Sequence, residues 1–185
     1  MIKKEVSQII AKRRSIFPHQ FNGQTINKKI VLQLLINANT APTHRLTQPW
    51  FFKVFSGNSK QKLADELIHS NTTASELFKK KITTNFQLSS HIICICMRRD
   101  HTESIPEWEE IASVAMAVQN IWLSCVDGKI GGYWSTPKGI EKLNNFLHLK
   151  TKERCLGLFY LGVYDSLQDR VLNRKSIEQD VQWLN

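Results

Sequence analysis

Residues 40–50 read TAPTHRLTQPW and run directly into FFKVF at positions 51–55. This stretch predicts the end of a helix, a polar loop and then a strand. Pro42 ends the helix because proline disfavours the α conformation in the preceding residue and has no N–H for the helical ladder. Five side chains in the loop can form hydrogen bonds: Thr43, His44, Arg45, Thr47 and Gln48. Such a loop, held before a core strand, is a place where a scaffold presents binding groups, and an ordinary solvated connection fits the spacing at least as well.

The segments around this stretch alternate between helical and strand patterns. An amphipathic pattern over residues 2–14 predicts a first helix, and Asn27 is a candidate N-cap for a second helix with Ile30 on its apolar side. Continuous apolar runs at 91–97 and 155–163 predict buried strands. The pattern is that of an α+β protein with one sheet of few strands flanked by helices.

The segment between the two apolar runs contains a long helix and two connections. The helix is predicted to begin near Glu107, where acidic residues suit the positive end of the helix dipole. We expect Gly131 and Gly132 to lie in the connection that follows it. Thr136 and Pro137 predict the start of a short helix, because proline is favoured in a first helical turn.

Length and composition indicate one globular domain over residues 1–185. The 21.4 kDa chain is 42% hydrophobic and has five Trp and nine Phe. No apolar run approaches the roughly 20 residues that a membrane span needs. The basic N-terminus leads into an amphipathic segment, in contrast to the apolar core of a signal peptide. We therefore expect a cytoplasmic protein with no membrane partner.

The formal net charge of +9 favours anionic partners such as a phosphorylated cofactor, nucleic acid or an acidic membrane. The basic residues are spread along the chain, and the densest clusters, at 12–14, 79–81 and 98–99, are short. A nucleic-acid binder would present a long basic tail or a patch with interleaved aromatic residues. The prediction is therefore no nucleic-acid partner.

The four cysteines do not have the spacing of a disulfide or zinc framework. Cys94 and Cys96 are two residues apart in an apolar strand, so both point to the same face. Cys125 and Cys155 each stand alone in an apolar segment. All four are predicted to be buried free thiols, and no metal site is expected.

Arg13, Arg14 and Ser15 follow the first predicted helix. Two guanidinium groups beside a hydroxyl suit a phosphate, since the arginine fork matches phosphate oxygens. Basic residues at a helix C-terminus are also favoured by the helix dipole alone. The tail from about 164 to 185 is polar but ends in apolar residues, which favours docking on another surface such as a second subunit, with fraying as the alternative.

Four motifs occur in the order seen in the FMN-dependent nitroreductase family. They are Arg13-Arg14-Ser15-Ile16, the segment from Ala38 through Gln48-Pro49-Trp50, the small-residue helix ending in Gly131-Gly132-Tyr133-Trp134, and Gly157-Leu158-Phe159-Tyr160-Leu161-Gly162. The resemblance covers essentially the whole chain. With only 185 residues, the chain looks most like the compact branch typified by YdjA-type nitroreductases.

This resemblance implies a nitroreductase-like fold, with a central, mostly antiparallel sheet flanked by helices in an intertwined homodimer. Two FMN sites would lie in clefts between the subunits. NADH or NADPH would deliver hydride to FMN and leave, and a small-molecule acceptor of nitroaromatic or quinone type would then take two electrons. A ping-pong cycle of this kind needs no dedicated catalytic residue, because the flavin itself accepts and donates the electrons.

The resemblance also assigns cofactor-binding residues. Arg13, Arg14 and Ser15 fall on the motif that holds the FMN phosphate and ribityl chain. Thr40 and His44 fall on positions that reach the flavin from the partner subunit, with Gln48 close by. The remaining matches are Trp134, Ser135 and Thr136, on the loop along the cofactor, and Arg174, which resembles a C-terminal basic residue near the phosphate.

Two departures from the family pattern affect these expectations. The family loop usually reads Trp-Arg-Ser/Thr-Gly, whereas residues 134–137 here read WSTP. Phe17 stands where the family often has arginine or lysine. Both changes remove polar contacts to the cofactor, so the alternative is a flavin-binding carrier or sensor with little turnover. The sequence does not choose between NADH and NADPH, and it does not identify the physiological acceptor.

Overall fold

The computed structural model describes residues 3–169 and 173–184. Its helices are α1 (Lys4–Lys12), α2 (Lys28–Ala38), α3 (Asn58–Ser70), α4 (Glu76–Leu88) and α5 (Glu107–Ser124). Its strands are β1 (Trp50–Ser56), β2 (His91–Arg98), β3 (Ile130–Ser135) and β4 (Glu153–Val163). All strand pairs are antiparallel, in the order β1-β2-β4-β3. The α+β prediction with an antiparallel sheet and flanking helices is therefore confirmed.

Strand β2 is the buried centre of the sheet. Residues 91–97 are all buried, so both faces of β2 are covered, as its continuous apolar run predicts. Even-numbered Ile92, Cys94 and Cys96 belong to a core that contains α3 and α4 residues. Ile93, Ile95 and Met97 belong to a second core that contains α2 and α5 residues. The period-two alternation of the strand thus assigns each residue to one of two helical layers.

The prediction that Gly131 and Gly132 lie in a connection is wrong, because both lie within strand β3. A Cβ built on Gly131 would stand 2.5 Å from the Ile16 side chain, and one on Gly132 would stand 2.1 Å from the Phe159 ring. The missing Cβ atoms let these neighbours pack directly on the strand backbone. The glycines therefore permit close packing inside the sheet.

The glycines of β4 have the same role. The apolar run at 155–163 predicts a strand with close neighbours at Gly157 and Gly162, and the structure identifies them. The Trp134 indole lies against Gly157 and the Phe21 ring lies against Gly162. Both neighbours are side chains of this chain.

Two helix predictions need correction in detail. Asn27 caps α2 as predicted, since its side chain accepts a hydrogen bond from Lys29 N at 2.8 Å. However, Ile30 is 44% exposed, and the buried positions are Val31, Leu34 and Ala38. The apolar stripe that packs on α5 is therefore offset from the predicted one.

The short helix predicted from Thr136 is a 3-10 turn that begins later, at Ile140–Asn144. Gly139 has a φ of 92° and interrupts any helical run from Pro137, because right-handed helix requires negative φ. Ile140 and Leu143 still point into the core. Across residues 3–169 and 173–184, no helix has both the length and the apolarity to cross a bilayer.

Candidate functional site

The segment 13–17, here called the arginine loop, follows α1 and lies against β3 and α5. Ile16 N and the Trp122 indole Nε1 both donate to the carbonyl of Gly132, at 3.0 and 2.7 Å. The Arg13 guanidinium lies 5.2 Å from the centroid of the Trp122 ring, which is a cation–π contact. Backbone and side-chain contacts thus fix the loop to the edge strand of the sheet.

Arg14 lines a cavity of about 280 Å³ beside the arginine loop. Its Nη1 donates to the carbonyl of Gln168 at 2.9 Å. A guanidinium has five N–H donors, so this bond leaves donors for another acceptor. Lys12 lines the same cavity and pairs with Asp127 at 2.9 Å. Arg14, with the half-buried Ser15 beside it, thus offers donors that fit an anionic group such as a phosphate, whereas the Lys12 ammonium is already paired with Asp127.

An aromatic surface continues from the arginine loop. The Phe17 ring lies 4.7 Å from the Tyr133 ring and stacks on His19 at 5.8 Å between ring centroids. Phe17 therefore packs apolar surface on β3 at the position where the family often has a cation. The departure seen in the sequence is a change from a charged contact to a ring contact.

Residues 134–136 are held at the end of β3. Trp134 is half-buried and pairs with Phe159, and Ser135 pairs with Leu158 across β4. Thr136 is exposed, and its hydroxyl donates to the carbonyl of Leu156 at 3.4 Å. The strand therefore fixes the backbone of this segment, while its side chains supply one indole and two hydroxyls in place of a guanidinium.

The 40–48 loop is anchored to itself and to α5. His44 Nδ1 lies 2.5 Å from the Glu109 carboxylate. Thr40 donates to Asn37 O at 2.8 Å and accepts from Asn120 Nδ2 at 3.4 Å. The exposed Gln48 donates its backbone N–H to Thr43 Oγ1 at 3.2 Å.

Three of the eight described non-glycine residues with positive φ lie in the 40–48 loop. Arg45, Leu46 and Gln48 have φ values of 50°, 55° and 44°. Non-glycine residues in this region are uncommon and carry strain, which the surrounding structure must offset. Such strain is often found at binding and active sites, but it also occurs in other connections of this chain, so the contacts of the loop carry the functional interpretation.

Helix α5 separates the two groups of predicted site residues. Asn120 contacts the 40–48 loop, and Trp122 contacts the arginine loop and β3. Positions two apart on an α-helix lie about 200° apart around its axis, so these side chains leave opposite sides of the helix. Within one chain, the two groups therefore contact different faces of α5.

Three residues of this region are absent from the sequence-based set. Glu109 and Glu110 are interpreted there only as acidic residues of a first helical turn, yet Glu109 holds His44 and Glu110 is 1% exposed. Glu110 accepts from the Arg99 side chain and, at 2.6 Å, from Asp100 N. Trp122, whose indole donates to Gly132 O, is the third. All three carry a polar group next to core residues, and such groups need hydrogen-bond partners. This is the sequence signal that could have identified them.

The C-terminal tail divides into two parts. Asp165 accepts from Asn22 Nδ2 at 2.7 Å, Leu167 packs against the core, and Gln168 accepts from Arg14, so residues near 165–168 contact their own chain. Trp183 and Leu184 are 86% and 84% exposed. Arg174 is also exposed, and its approach to a cofactor phosphate stays a prediction. Packing of the tail on a partner subunit likewise stays a prediction.

Comparison with known proteins confirms the family resemblance. A sequence model described as the Nitroreductase family matches residues 10–163. The chain is 24% identical over 137 residues to a protein of Escherichia coli named "Putative NAD(P)H nitroreductase YdjA", a match that covers 71% of this chain and 74% of YdjA.

Two solved structures share the fold. A nitroreductase-like family protein from Bacillus cereus superposes with a TM-score of 0.84 at 21% identity, over 100% of this chain and 98% of that one. A structure from Desulfovibrio desulfuricans, described as a putative nitroreductase in complex with FMN, superposes with a TM-score of 0.75 at 18% identity, over 97% and 96%. The similarity therefore extends along the whole chain.

Proposed function

The chain belongs to the nitroreductase family, and we propose that it is an FMN-dependent NAD(P)H oxidoreductase. Its reaction would be the two-electron reduction of nitroaromatic or quinone-like acceptors in a ping-pong cycle. The names of its relative from Escherichia coli and of the FMN complex from Desulfovibrio desulfuricans support this proposal. When bound, FMN would accept hydride from the nicotinamide and pass two electrons to the acceptor.

The arginine loop is the observation that carries the proposal. Arg13 and Arg14 bring two guanidinium groups to the end of α1, and Ser15 adds a hydroxyl. Contacts with Trp122 and Gly132 hold these groups against the sheet before any ligand arrives. Preorganised, charge-assisted donors of this kind suit a phosphate, and we assign the FMN phosphate and ribityl chain to them.

The second part of the proposed site comes from a partner subunit. The 40–48 loop and the arginine loop contact opposite faces of α5. A cofactor that touches both sets of residues would therefore bind between two copies of the chain. Thr40, His44 and Gln48 would approach the flavin from the partner. Exposed apolar residues on α1, namely Val6, Ile9 and Ile10, support a homodimer because they leave an unpartnered apolar face.

His44 is assigned a hydrogen bond to the flavin, with Glu109 as its positioning partner. The carboxylate at 2.5 Å fixes the ring orientation through Nδ1 and leaves Nε2 for a ligand. Trp134, Ser135 and Thr136 would lie along the cofactor, with Ser135 contributing mainly backbone groups. Arg174 would add a further cation near the phosphate.

A flavin-binding carrier or sensor is the second candidate, and the aromatic surface is what favours it. Phe17 packs on Tyr133 in place of a cation, and the 134–137 segment lacks the family's guanidinium. Positive charge near a flavin stabilises its anionic reduced form, so losing two cations would disfavour reduction. Such a protein would bind FMN but turn over slowly.

Steady-state oxidation of NADH and of NADPH separates the two candidates. The purified protein, loaded with FMN, is assayed with a nitroaromatic compound and with a quinone. Turnover that depends on FMN and on an acceptor supports the oxidoreductase. Parallel lines in double-reciprocal plots of initial rate against nicotinamide concentration, at several fixed acceptor concentrations, support the ping-pong cycle. Bound FMN without acceptor-dependent turnover would favour the carrier or sensor over the oxidoreductase.

A further inference from the structure

Three of the four cysteines meet on one face of the sheet. Cys96 on β2 lies directly opposite Cys155 on β4. Cys94 lies two residues before Cys96 and points to the same face, and all three belong to the same core. An irregularity in the register between Ile95 and Cys96 gives β4 one extra residue there. The sequence separates Cys155 from the other two by about sixty positions, so this cluster is visible only in the fold.

The three thiols interact with one another. Cys155 Sγ donates to the carbonyl of Gly157 at 3.4 Å, and hydrogen bonding among the three thiols couples their ionisation. The bonds among the thiols lower the pKa of Cys155, because they stabilise its thiolate, and they raise the pKa values of Cys94 and Cys96. Cys125 has no thiol partner among these residues, and burial raises its pKa to about 12. Of the three, Cys155 is also the residue that lies on a cavity wall, and this position makes it the candidate reactive thiol.

Access to the cluster is through Cys155. Cys94 and Cys96 are fully buried, whereas Cys155 keeps 8% of its surface exposed. Cys155 lines a cavity of about 440 Å³, with Thr136, Glu141, Asn144, Arg154 and Leu156 forming the rest of the wall. Cys155 is the one of the three cysteines on this wall, so the cavity is the side from which a small peroxide would approach the cluster.

The strand pairing fits a disulfide between Cys155 and Cys96. Cys96 and Cys155 are Cα partners beside the register shift, and directly opposed residues of regular antiparallel strands have Cα atoms roughly 4.5–5.5 Å apart. Disulfides bridge Cα atoms that are about 4.4–6.8 Å apart. In the described ranges 3–169 and 173–184, no group of three ligating side chains is arranged to hold a metal ion.

We propose that Cys155 is a peroxide-reactive thiol that forms a reversible disulfide with Cys96. The Cys155 thiolate attacks one oxygen of a hydroperoxide, the O–O bond breaks, and the products are a Cys155 sulfenic acid and an alcohol or, from hydrogen peroxide, water. The Cys96 sulfur then attacks the Cys155 sulfur, an S–S bond forms, and the sulfenic oxygen leaves as water with the Cys96 proton. A dithiol reductant restores both thiols by exchange.

Peptide mapping of the intact protein tests this inference. The protein is exposed to hydrogen peroxide, free thiols are alkylated, and tryptic peptides are analysed without reduction. We expect a linked peptide pair containing Cys155 and Cys96, two hydrogens lighter than the separate peptides and lost on reduction. Thiol loss at Cys155 should be at least roughly tenfold faster than at Cys125, the internal control, because reactivity follows thiolate character.

Matched variants identify the partner. In Cys96→Ser the linked pair should vanish and Cys155 should accumulate as a sulfenic acid that dimedone labels, whereas Cys94→Ser should keep the link. A Cys94–Cys155 link, or oxidation of Cys155 no faster than that of Cys125, would overturn the proposal. The comparison with Cys125 uses the unaltered chain, so it holds even where a variant fails to fold.

Discussion

Arg14 is the residue through which the proposed phosphate site is tested most simply. Arg14→Ala removes donors from the cavity wall but leaves the Arg13–Trp122 contact in place. Because a hydrogen bond to a charged group contributes roughly 1.5–3 kcal/mol, FMN should bind about 10- to 100-fold more weakly, and activity should fall with it. FMN affinity is measured by fluorescence titration.

The matched control for Arg14→Ala is Lys12→Ala. Lys12 lines the same cavity and carries the same charge, but it pairs with Asp127 at an exposed position. Exposed ion pairs contribute about 0–1 kcal/mol, so this variant should keep its FMN. Retained flavin in Arg14→Ala would defeat the phosphate assignment.

Glu109 tests whether the orientation of His44 matters. Glu109→Gln should lower kcat/KM about tenfold, since small errors in positioning near a reacting centre are costly, and should leave thermal stability almost unchanged. His44→Ala should give a similar loss, and the double variant should lose little more, because the two residues act as a pair. Fully additive losses would mean that His44 and Glu109 act separately.

Glu153 contributes a pH-dependent part of the stability. Its carboxylate accepts from Lys150 N at 3.0 Å and from Arg98 Nε at 2.7 Å, and these bonds lower its pKa. A carboxyl with a lowered folded-state pKa stabilises the fold above its ordinary pKa of about 4.3, and this contribution is lost as the pH falls through the folded-state value.

Denaturant melts between neutral and acid pH test this effect. The midpoint of the native chain should fall on acidification more steeply than that of Glu153→Gln, which cannot titrate at this position. Glu141→Gln, an exposed position, is the control and should follow the native chain. If the unfolding midpoints of the native chain and Glu153→Gln fall equally with pH, Glu153 does not contribute to the pH dependence of stability.

At the scale of elements, Glu110 connects helix α5 to the segment after β2. Its buried carboxylate accepts from the Arg99 side chain and from Asp100 N, and Arg99 Nη2 donates to Ile105 O at 2.9 Å. Glu110→Ala leaves the largely buried Arg99 guanidinium without its carboxylate partner. Breaking a buried pair in this way costs about 3–5 kcal/mol of unfolding free energy.

Urea unfolding measures this loss, with Glu107→Ala as the control on the same helix. Glu107 pairs with Arg154 at a half-exposed position, so its removal should cost less than about 1 kcal/mol. The double variant Arg99→Met with Glu110→Met should recover part of the loss, since both charges are removed together. A loss in Glu110→Ala as small as that in Glu107→Ala would contradict the structural role of the pair.

The elements that sequence patterns predict well are those with a local cause. The Asn27 cap, the run at 91–97 and the polar 40–48 loop all follow from capping, burial or turn chemistry within a few residues. Strand β3 could not be predicted, because Gly131 and Gly132 favour a loop until the Ile16 and Phe159 side chains fill their missing Cβ positions. The thiol cluster and the His44–Glu109 pair depend on residues distant in sequence, so only the fold reveals them.

At the scale of the molecule, the proposed function depends on two copies of the chain. A single chain exposes Leu46 by 82%, Trp108 by 68% and Trp183 by 86%. A second subunit that packs on these surfaces would cover such side chains. Light scattering should therefore give about twice the 21.4 kDa mass of the chain. A monomeric mass at micromolar concentration would contradict the proposal that a partner subunit supplies part of the FMN site.

The visible absorption spectrum of the purified protein, before and after FMN is added, tests the central claim most directly. After gel filtration, we expect a flavin spectrum that stays with the dimer at about one FMN per chain, because the arginine loop of one subunit and the 40–48 loop of its partner would hold the cofactor together. A colourless protein that remains without flavin after incubation with FMN would contradict the proposed enzyme, while its place in the nitroreductase family would stand.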